Sequence, residues 1–291
     1  MLSKYTAIIS FAAYLLVAAY KIFLLVTGKS IYWFAVSNAF DIFLIAVLQF
    51  YFYRRLGGGK LSFSRQTFRR LFHESKYYII SELMIAIFAQ TDRVMLKLMI
   101  GDASVGYYSA AVTCANMTAF IFSAVINSAA PTIFESKKVS ENDFNRNVRF
   151  LFSVIIYGSL LQGILLAFLA RPIIFIIYGD SFGPSVAALR IVVWYTIFSY
   201  LGAVRNRWIL AEGKQRLIWK IDLSGALANI LLNYFLIPAY GINGAAFATL
   251  ATQIFANVIV SGMIKEVRPS VKLMFQGCNP HCLAELLHRL R

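Results

Sequence analysis

The chain has 291 residues, 59% of them hydrophobic and 14% charged, with a net charge of +15 and a mean hydropathy of +0.68. A soluble domain carries about 25% charge, so this composition excludes an ordinary water-soluble enzyme or binding module and points to a polytopic membrane protein. The basic excess does not imply nucleic acid as a partner, because no soluble basic stretch is long enough to host a reader.

Eight apolar stretches follow in chain order, each close to the roughly 20 residues that cross a bilayer as helix. They are Tyr5–Thr27, Ile31–Tyr53, Tyr77–Met99, Tyr107–Phe134, Arg149–Ala170, Val186–Ile209, Leu217–Ile237 and Gly244–Ile264. All are expected as helices, because backbone in lipid must satisfy its own hydrogen bonds. The expectation is an all-α transmembrane bundle of about eight spans. Residues 1–53 form a two-helix part, 54–76 a basic cytoplasmic linker, 77–264 a six-helix part and 265–291 a cytoplasmic amphipathic tail.

Placing the N-terminus in the cytoplasm puts about 19 of the 28 Lys and Arg residues in cytoplasmic segments and leaves only Lys29 and Arg171 outside. The positive-inside rule therefore places both termini in the cytoplasm. The external loops are short and turn-rich, among them "YGDSFGPS" and "AYGING". In the linker, Phe68, Leu71 and Phe72 stand at helical spacing among Arg65, Arg69 and Arg70, which reads as an interfacial helix resting on anionic membrane lipid. The tail repeats the pattern with Leu283, Leu286, Leu287 and Leu290.

Little points to catalysis. "GGGKLS" lacks the phosphate-binding loop spacing. Cys278, His281 and Cys282 frame "CNPHC" without a fourth ligand. No Ser/His/Asp set is evident, His73, His281 and His288 fall outside the spans, and no cofactor is implied.

The spans nevertheless carry charge. In the third, Glu82, Gln90, Arg93 and Lys97 fall within one arc of roughly 100° at 3.6 residues per turn, with Asp92 beside it. One charge at the centre of a span costs about 2.5–3.5 kcal/mol, so this face is expected to meet protein or a water-filled cavity. In the first two spans, Lys21 is placed to reach Asp41 across a hairpin, or to snorkel. Asp222, Gly225, Ala226, Asn229 and Asn233 line one stripe of the seventh span, fit for close packing or for lining a cavity. Arg190 lies near the outer end of the sixth span. Arg205, Arg207 and Lys220 lie near cytoplasmic ends, where they either snorkel or hold a phosphate.

Four stretches in this order, "QTDRVMLKLMIGDASVGYYSAA" from Gln90, "NSAAPTIF" from Asn127, "IIYGDSFGPS" from Ile176 and "NILLNYFLIPAYGINGAAFAT" from Asn229, carry a resemblance, and Lys21 fits it too. The chain resembles the polysaccharide biosynthesis flippases (O-antigen transporters) of the multidrug/oligosaccharidyl-lipid/polysaccharide exporter superfamily. The resemblance implies a twelve-span fold of two six-helix lobes working by alternating access. The substrate would be an undecaprenyl-diphosphate-linked oligosaccharide, moved across the bacterial inner membrane with proton or sodium coupling, alongside other polysaccharide assembly proteins. The cavity residues would be Lys21, Asp41, Glu82, Gln90, Asp92, Arg93, Lys97, Arg190, Asp222, Asn229 and Asn233. The first two spans would be the last two of the first lobe, and the remaining six the second lobe. On that reading the opening helices of the family are missing, and transport by this chain alone is in question. The alternatives are a drug/cation antiporter of the same superfamily, a membrane enzyme such as an O-antigen polymerase or ligase, and a non-functional fragment. The many intramembrane cations count against the antiporter, and the short external loops against the enzyme.

Overall fold

A computed structural model describes residues 2–55, 57, 59 and 62–279. The described residues are helical with short connections: α1 (Leu2–Val26), α2 (Ile31–Arg55), α3 (Arg65–Met99), α4 (Asp102–Ala115), α5 (Ala119–Val139), α6 (Glu141–Phe168), α7 (Ala170–Tyr178), α8 (Ser185–Val192), α9 (Tyr195–Ala211), α10 (Ile218–Ile254), α11 (Ser261–Met263) and α12 (Arg268–Gly277). A π-helical turn, Phe255–Val260, joins α10 to α11. Six helical runs among the described residues are long and apolar enough to cross a membrane: Ile9–Val26, Tyr32–Arg55, Ala119–Val139, Glu141–Phe168, Ser185–Ala211 and Gln215–Met263. The protein is thus an all-α, multi-spanning membrane helix bundle.

The chain divides into two compact units, Met1–Arg69 and Arg70–Arg291. In the first, α1 and α2 pair as a hairpin, with Tyr20 and Phe40 in ring contact. Lys21 Nζ donates to Asn38 Oδ1 at 2.9 Å. The expected Lys21–Asp41 contact is therefore replaced by one with Asn38, three residues earlier on α2. One buried Asp41 carboxylate oxygen has no hydrogen-bond partner among the described residues.

The expected elements of the second unit are redrawn in several places. The interfacial segment and the third span are one continuous helix, α3, which carries too much charge to stand among those six runs. The fourth span breaks between Ala115 and Ala119, and the sixth between Val192 and Tyr195. The stretch expected as an external loop after Ala170 contains the amphipathic helix α7. Cys278 is a free thiol, and its expected companions His281 and Cys282 lie outside the described residues, as do Leu283, Leu286, Leu287 and Leu290.

The seventh and eighth spans lie in α10, which is two antiparallel arms rather than one rod. Gly241 has φ 59° and ψ −134°, a conformation that no helix continues through. Around it the arms close on each other. A Cβ on Gly244 would stand 2.0 Å from the Leu236 carbonyl oxygen, and one on Gly225 would stand 3.2 Å from Ala256 Cβ. The pairing of 236 with 244 and of 225 with 256 fits a hairpin centred near Gly241. Small residues at these points allow backbones to approach without an aqueous hydrophobic drive.

Two buried clusters hold the unit together. One gathers Phe144, Val148 and Phe152 of α6 with Val204 and Trp208 of α9 and Val271 and Met274 of α12. The other packs Leu96 of α3 and Tyr108 of α4 against Ala188 and Leu189 of α8 and Ile237 and Ala245 of α10. The remaining large apolar side chains, such as Leu227, Leu231 and Phe235, face outward as a lipid-facing surface requires. Outside the spans, Glu212 receives hydrogen bonds from Lys137 and from Lys214, the latter at 2.9 Å, and Lys137 also bonds Glu141 at 2.6 Å. This ties the α5–α6 turn to the α9–α10 turn. Burial alone would raise the Glu212 carboxyl, but the bonds from Lys137 and Lys214 outweigh it and hold the group below the usual carboxylate range.

Candidate functional site

Asp92 is the centre of the polar interior. It is 5% exposed, and three elements supply its partners. Tyr108 of α4 donates its hydroxyl to Oδ2 at 2.5 Å, and Thr249 on the second arm of α10 donates to the same oxygen at 2.6 Å. On the first arm, Asn229 and Asn233, one helical turn apart, donate to Oδ1 at 3.0 and 2.6 Å. Asn233 also donates to Asn229 Oδ1 at 3.1 Å, while its own Oδ1 is buried without a partner. A carboxylate removed from water is tolerated only when its lone pairs are met, and here four donors meet them.

The local sequence explains the convergence. Gly101, at φ 130°, lets α3 reverse into α4, so that Tyr108 comes back beside Asp92. The α10 hairpin then brings Asn233 and Thr249 to the same level.

A cavity of about 310 Å³ lies beside this cluster, bounded by Asp92, Arg93, Tyr108, Asn116, Tyr195, Thr249 and Gln253 among others. Arg93 is half-buried, donating to Ser109 Oγ at 3.1 Å and Gln90 Oε1 at 3.0 Å. Asn116, at the break after α4, donates to Tyr195 OH at 2.6 Å, at the break before α9. A second cavity, about 240 Å³, adjoins the first through shared walls at Ile85, Ser199 and Gln253. Arg205 and Asp222 are the charged residues in its lining.

Arg205 is 3% exposed and does not snorkel. It donates to Asn257 Oδ1 and Ser261 Oγ, both at 2.8 Å, and to Asn206 Oδ1 at 2.9 Å. Asn257 in turn donates to Gln253 Oε1 at 2.6 Å. The π-helical turn contains Asn257 and ends just before Ser261, whose Oγ donates to Ala256 O, five residues back.

The expected site residues thus separate. Asp92, Arg93, Asn229 and Asn233 come together, and Asp222 lines the adjoining cavity. Glu82, Gln90 and Arg190 are exposed. Lys97 is exposed and pairs with Asp102 at 3.1 Å. Lys21 and Asp41 belong to the first unit. The face that α3 turns inward carries Asp92 and Leu96 rather than the whole charged arc. The small stripe of the seventh span divides: Gly225 packs against Ala256, Asp222, Gly225 and Ala226 line the second cavity, and Asn229 and Asn233 line neither cavity but bind Asp92. The sequence reading passed over Tyr108, Thr249, Gln253 and Asn257. A signal existed for three of them, because Thr249, Gln253, Asn257 and Ser261 recur every four residues along the last span.

The polysaccharide biosynthesis protein family model matches residues 2–137. An uncharacterized membrane protein of Methanocaldococcus jannaschii is 27% identical over 195 residues, covering 66% of this chain and 38% of that protein. The capsular polysaccharide biosynthesis protein CapF of Staphylococcus aureus is 23% identical over 56% of this chain and 42% of its own. The probable low-salt glycan biosynthesis flippase Agl15 of Haloferax volcanii is 24% identical over 71% of this chain and 44% of its own. The chain spans about two-fifths of the length of these relatives. No solved structure matches it significantly. Among the described residues no group of three or more His, Cys, Asp or Glu could hold a metal ion. The chain is similar to polysaccharide-biosynthesis, flippase-like membrane proteins, and both that similarity and its all-helical architecture are consistent with a non-catalytic transporter rather than an enzyme.

Proposed function

We propose that this chain takes part in moving a lipid-linked oligosaccharide across the bacterial inner membrane, with Asp92 as the position where a coupling cation binds. The observation that carries the reading is the buried carboxylate itself, held by Tyr108, Asn229, Asn233 and Thr249 at the edge of an intramembrane cavity. An ionisable group at such a place marks a pathway for substrate or ion. Its single negative charge, among neutral side chains, balances one positive charge, which suits a proton or sodium.

In this reading the eight stretches are eight spans with both termini cytoplasmic, and residues 77–264 correspond to one six-helix lobe of a twelve-span transporter. The cargo is an undecaprenyl-diphosphate-linked oligosaccharide. Arg93 faces the cavity as a partner for diphosphate. Glu82, Gln90, Lys97 and Arg190 lie on surfaces open to the rest of the translocation path.

The test is flipping of a lipid-linked oligosaccharide in vesicles containing the chain, under an imposed proton or sodium gradient. Gradient-driven transport that disappears in Asp92→Asn but persists in Lys272→Gln, an exposed lysine of α12 outside the path, supports the reading. Transport that is indifferent to Asp92→Asn removes it. Exchange of an organic cation without glycan movement would instead favour the antiporter.

A further inference from the structure

We propose that the cavity at Arg205 is a subsite for the hydroxyl groups of a neutral sugar. This rests on the reading that the chain handles a glycan, and it assigns residues that the transport argument leaves unused.

The chemistry of the lining selects the ligand class. One guanidinium and one carboxylate, Arg205 and Asp222, are its charged groups, so the cavity is balanced rather than cationic. A phosphate would meet Asp222 as a like charge. It would also find Arg205 already bonded to Asn257, Ser261 and Asn206. A sugar hydroxyl is donor and acceptor at once, and it matches a wall that alternates the two. Asn257 donates to Gln253 Oε1, which leaves the Gln253 amide NH2 to donate elsewhere. Asn206, whose Oδ1 accepts from Arg205, lines the same cavity with its amide.

The remaining wall is built from Gly202, Ala203, Gly225, Ala226 and Ala256, small faces that leave room for a ring. The two adjoining cavities, about 240 and 310 Å³, together fall within the roughly 300–1,000 Å³ of small-molecule sites. A glycan seated at Arg205 therefore lies next to the Asp92 cavity.

The experiment uses the full chain in lipid nanodiscs. Saturation-transfer difference NMR is recorded with free glucose, galactose and N-acetylglucosamine, and phosphorus line widths with inorganic phosphate. Saturation of at least one sugar is expected in the wild type and in Asp92→Asn. Loss of that signal is expected in Ala226→Phe, which fills the cavity, and in Asn206→Ala, which removes an amide without adding bulk. The proposal is overturned if no sugar is saturated or if the signal survives both cavity variants. It is also overturned if phosphate is the probe that binds and is lost in them. Sugar binding with no gradient-driven flipping would remove the transport reading alone. Flipping without sugar saturation would remove this proposal alone.

Discussion

Asn233 and Thr249 stand on opposite arms of one helical hairpin, and both donate to the Asp92 carboxylate at 2.6 Å. A third helix is thereby fastened to both arms at one point. The same contact serves stability and the proposed cation position, so its loss is expected to register in both.

Asp92→Ala strands the donors of Tyr108, Thr249, Asn229 and Asn233 in a buried place. An unsatisfied buried donor costs about 1–3 kcal/mol, though partners found within the membrane lessen this. The expected loss is about 2–4 kcal/mol for Asp92→Ala and roughly half that for Asp92→Asn, which retains an acceptor oxygen. Thermal unfolding in detergent measures it, and an Asp92→Ala midpoint equal to wild type would show that the network does not form.

Gly241 occupies φ 59°, ψ −134°, a region essentially closed to side chains. Gly241→Ala is expected to cost about 1–3 kcal/mol and to loosen the hairpin that presents Asn233 and Thr249. Amide hydrogen exchange across residues 229–253 reads this directly. Unchanged protection there would contradict the assigned turn.

A Cβ on Gly202 would lie 2.4 Å from Asn257 Oδ1, the atom that accepts from Arg205. Gly202→Ala therefore displaces Asn257 and removes one of the two acceptors of an Arg205 guanidinium nitrogen, which keeps Ser261, at an expected cost of about 1–3 kcal/mol. Gly202→Ala combined with Asn257→Ser should recover part of the loss. If the double variant is no more stable than Gly202→Ala, the clash lies elsewhere.

Glu212 is held below the usual carboxylate range by Lys137 and Lys214. A depressed carboxyl adds stability that is fully present above the usual range and drains away as pH falls through its own lowered pKa. Thermal midpoints followed from neutral pH into that acid window should fall in the wild type. They should fall less steeply in Glu212→Gln, which starts lower. Parallel curves would mean that the α5–α6 and α9–α10 turns are not joined through this group.

Much of the architecture was legible because the membrane imposes it. Apolar runs near 20 residues have one backbone solution in lipid, and the corresponding helices are present. The breaks at residues 116–118 and 193–194 were not legible, since both lie inside stretches long enough and apolar enough to read as single spans. They are accompanied by tertiary contacts: Asn116 with Tyr195, and Gln162 with the Ala115 carbonyl. Lys21 missed Asp41 for a similar reason, because spacing gives depth but not rotation about the helix axis, and Asn38 lies at bonding distance.

What the sequence by itself determined is the class of molecule and the identity of its costly residues. Charge in a span is expensive wherever it points, so Asp92, Arg93, Asp222 and Arg205 announce themselves by type and position. What only the tertiary structure decided is which of them meet. Asp92 gains its partners from α4 and from two arms of α10 that are separated in the chain and brought level by a reversal at Gly241. Helix periodicity encodes neighbours one turn away, whereas contacts between helices depend on crossing points set by packing, and those are written in no single segment.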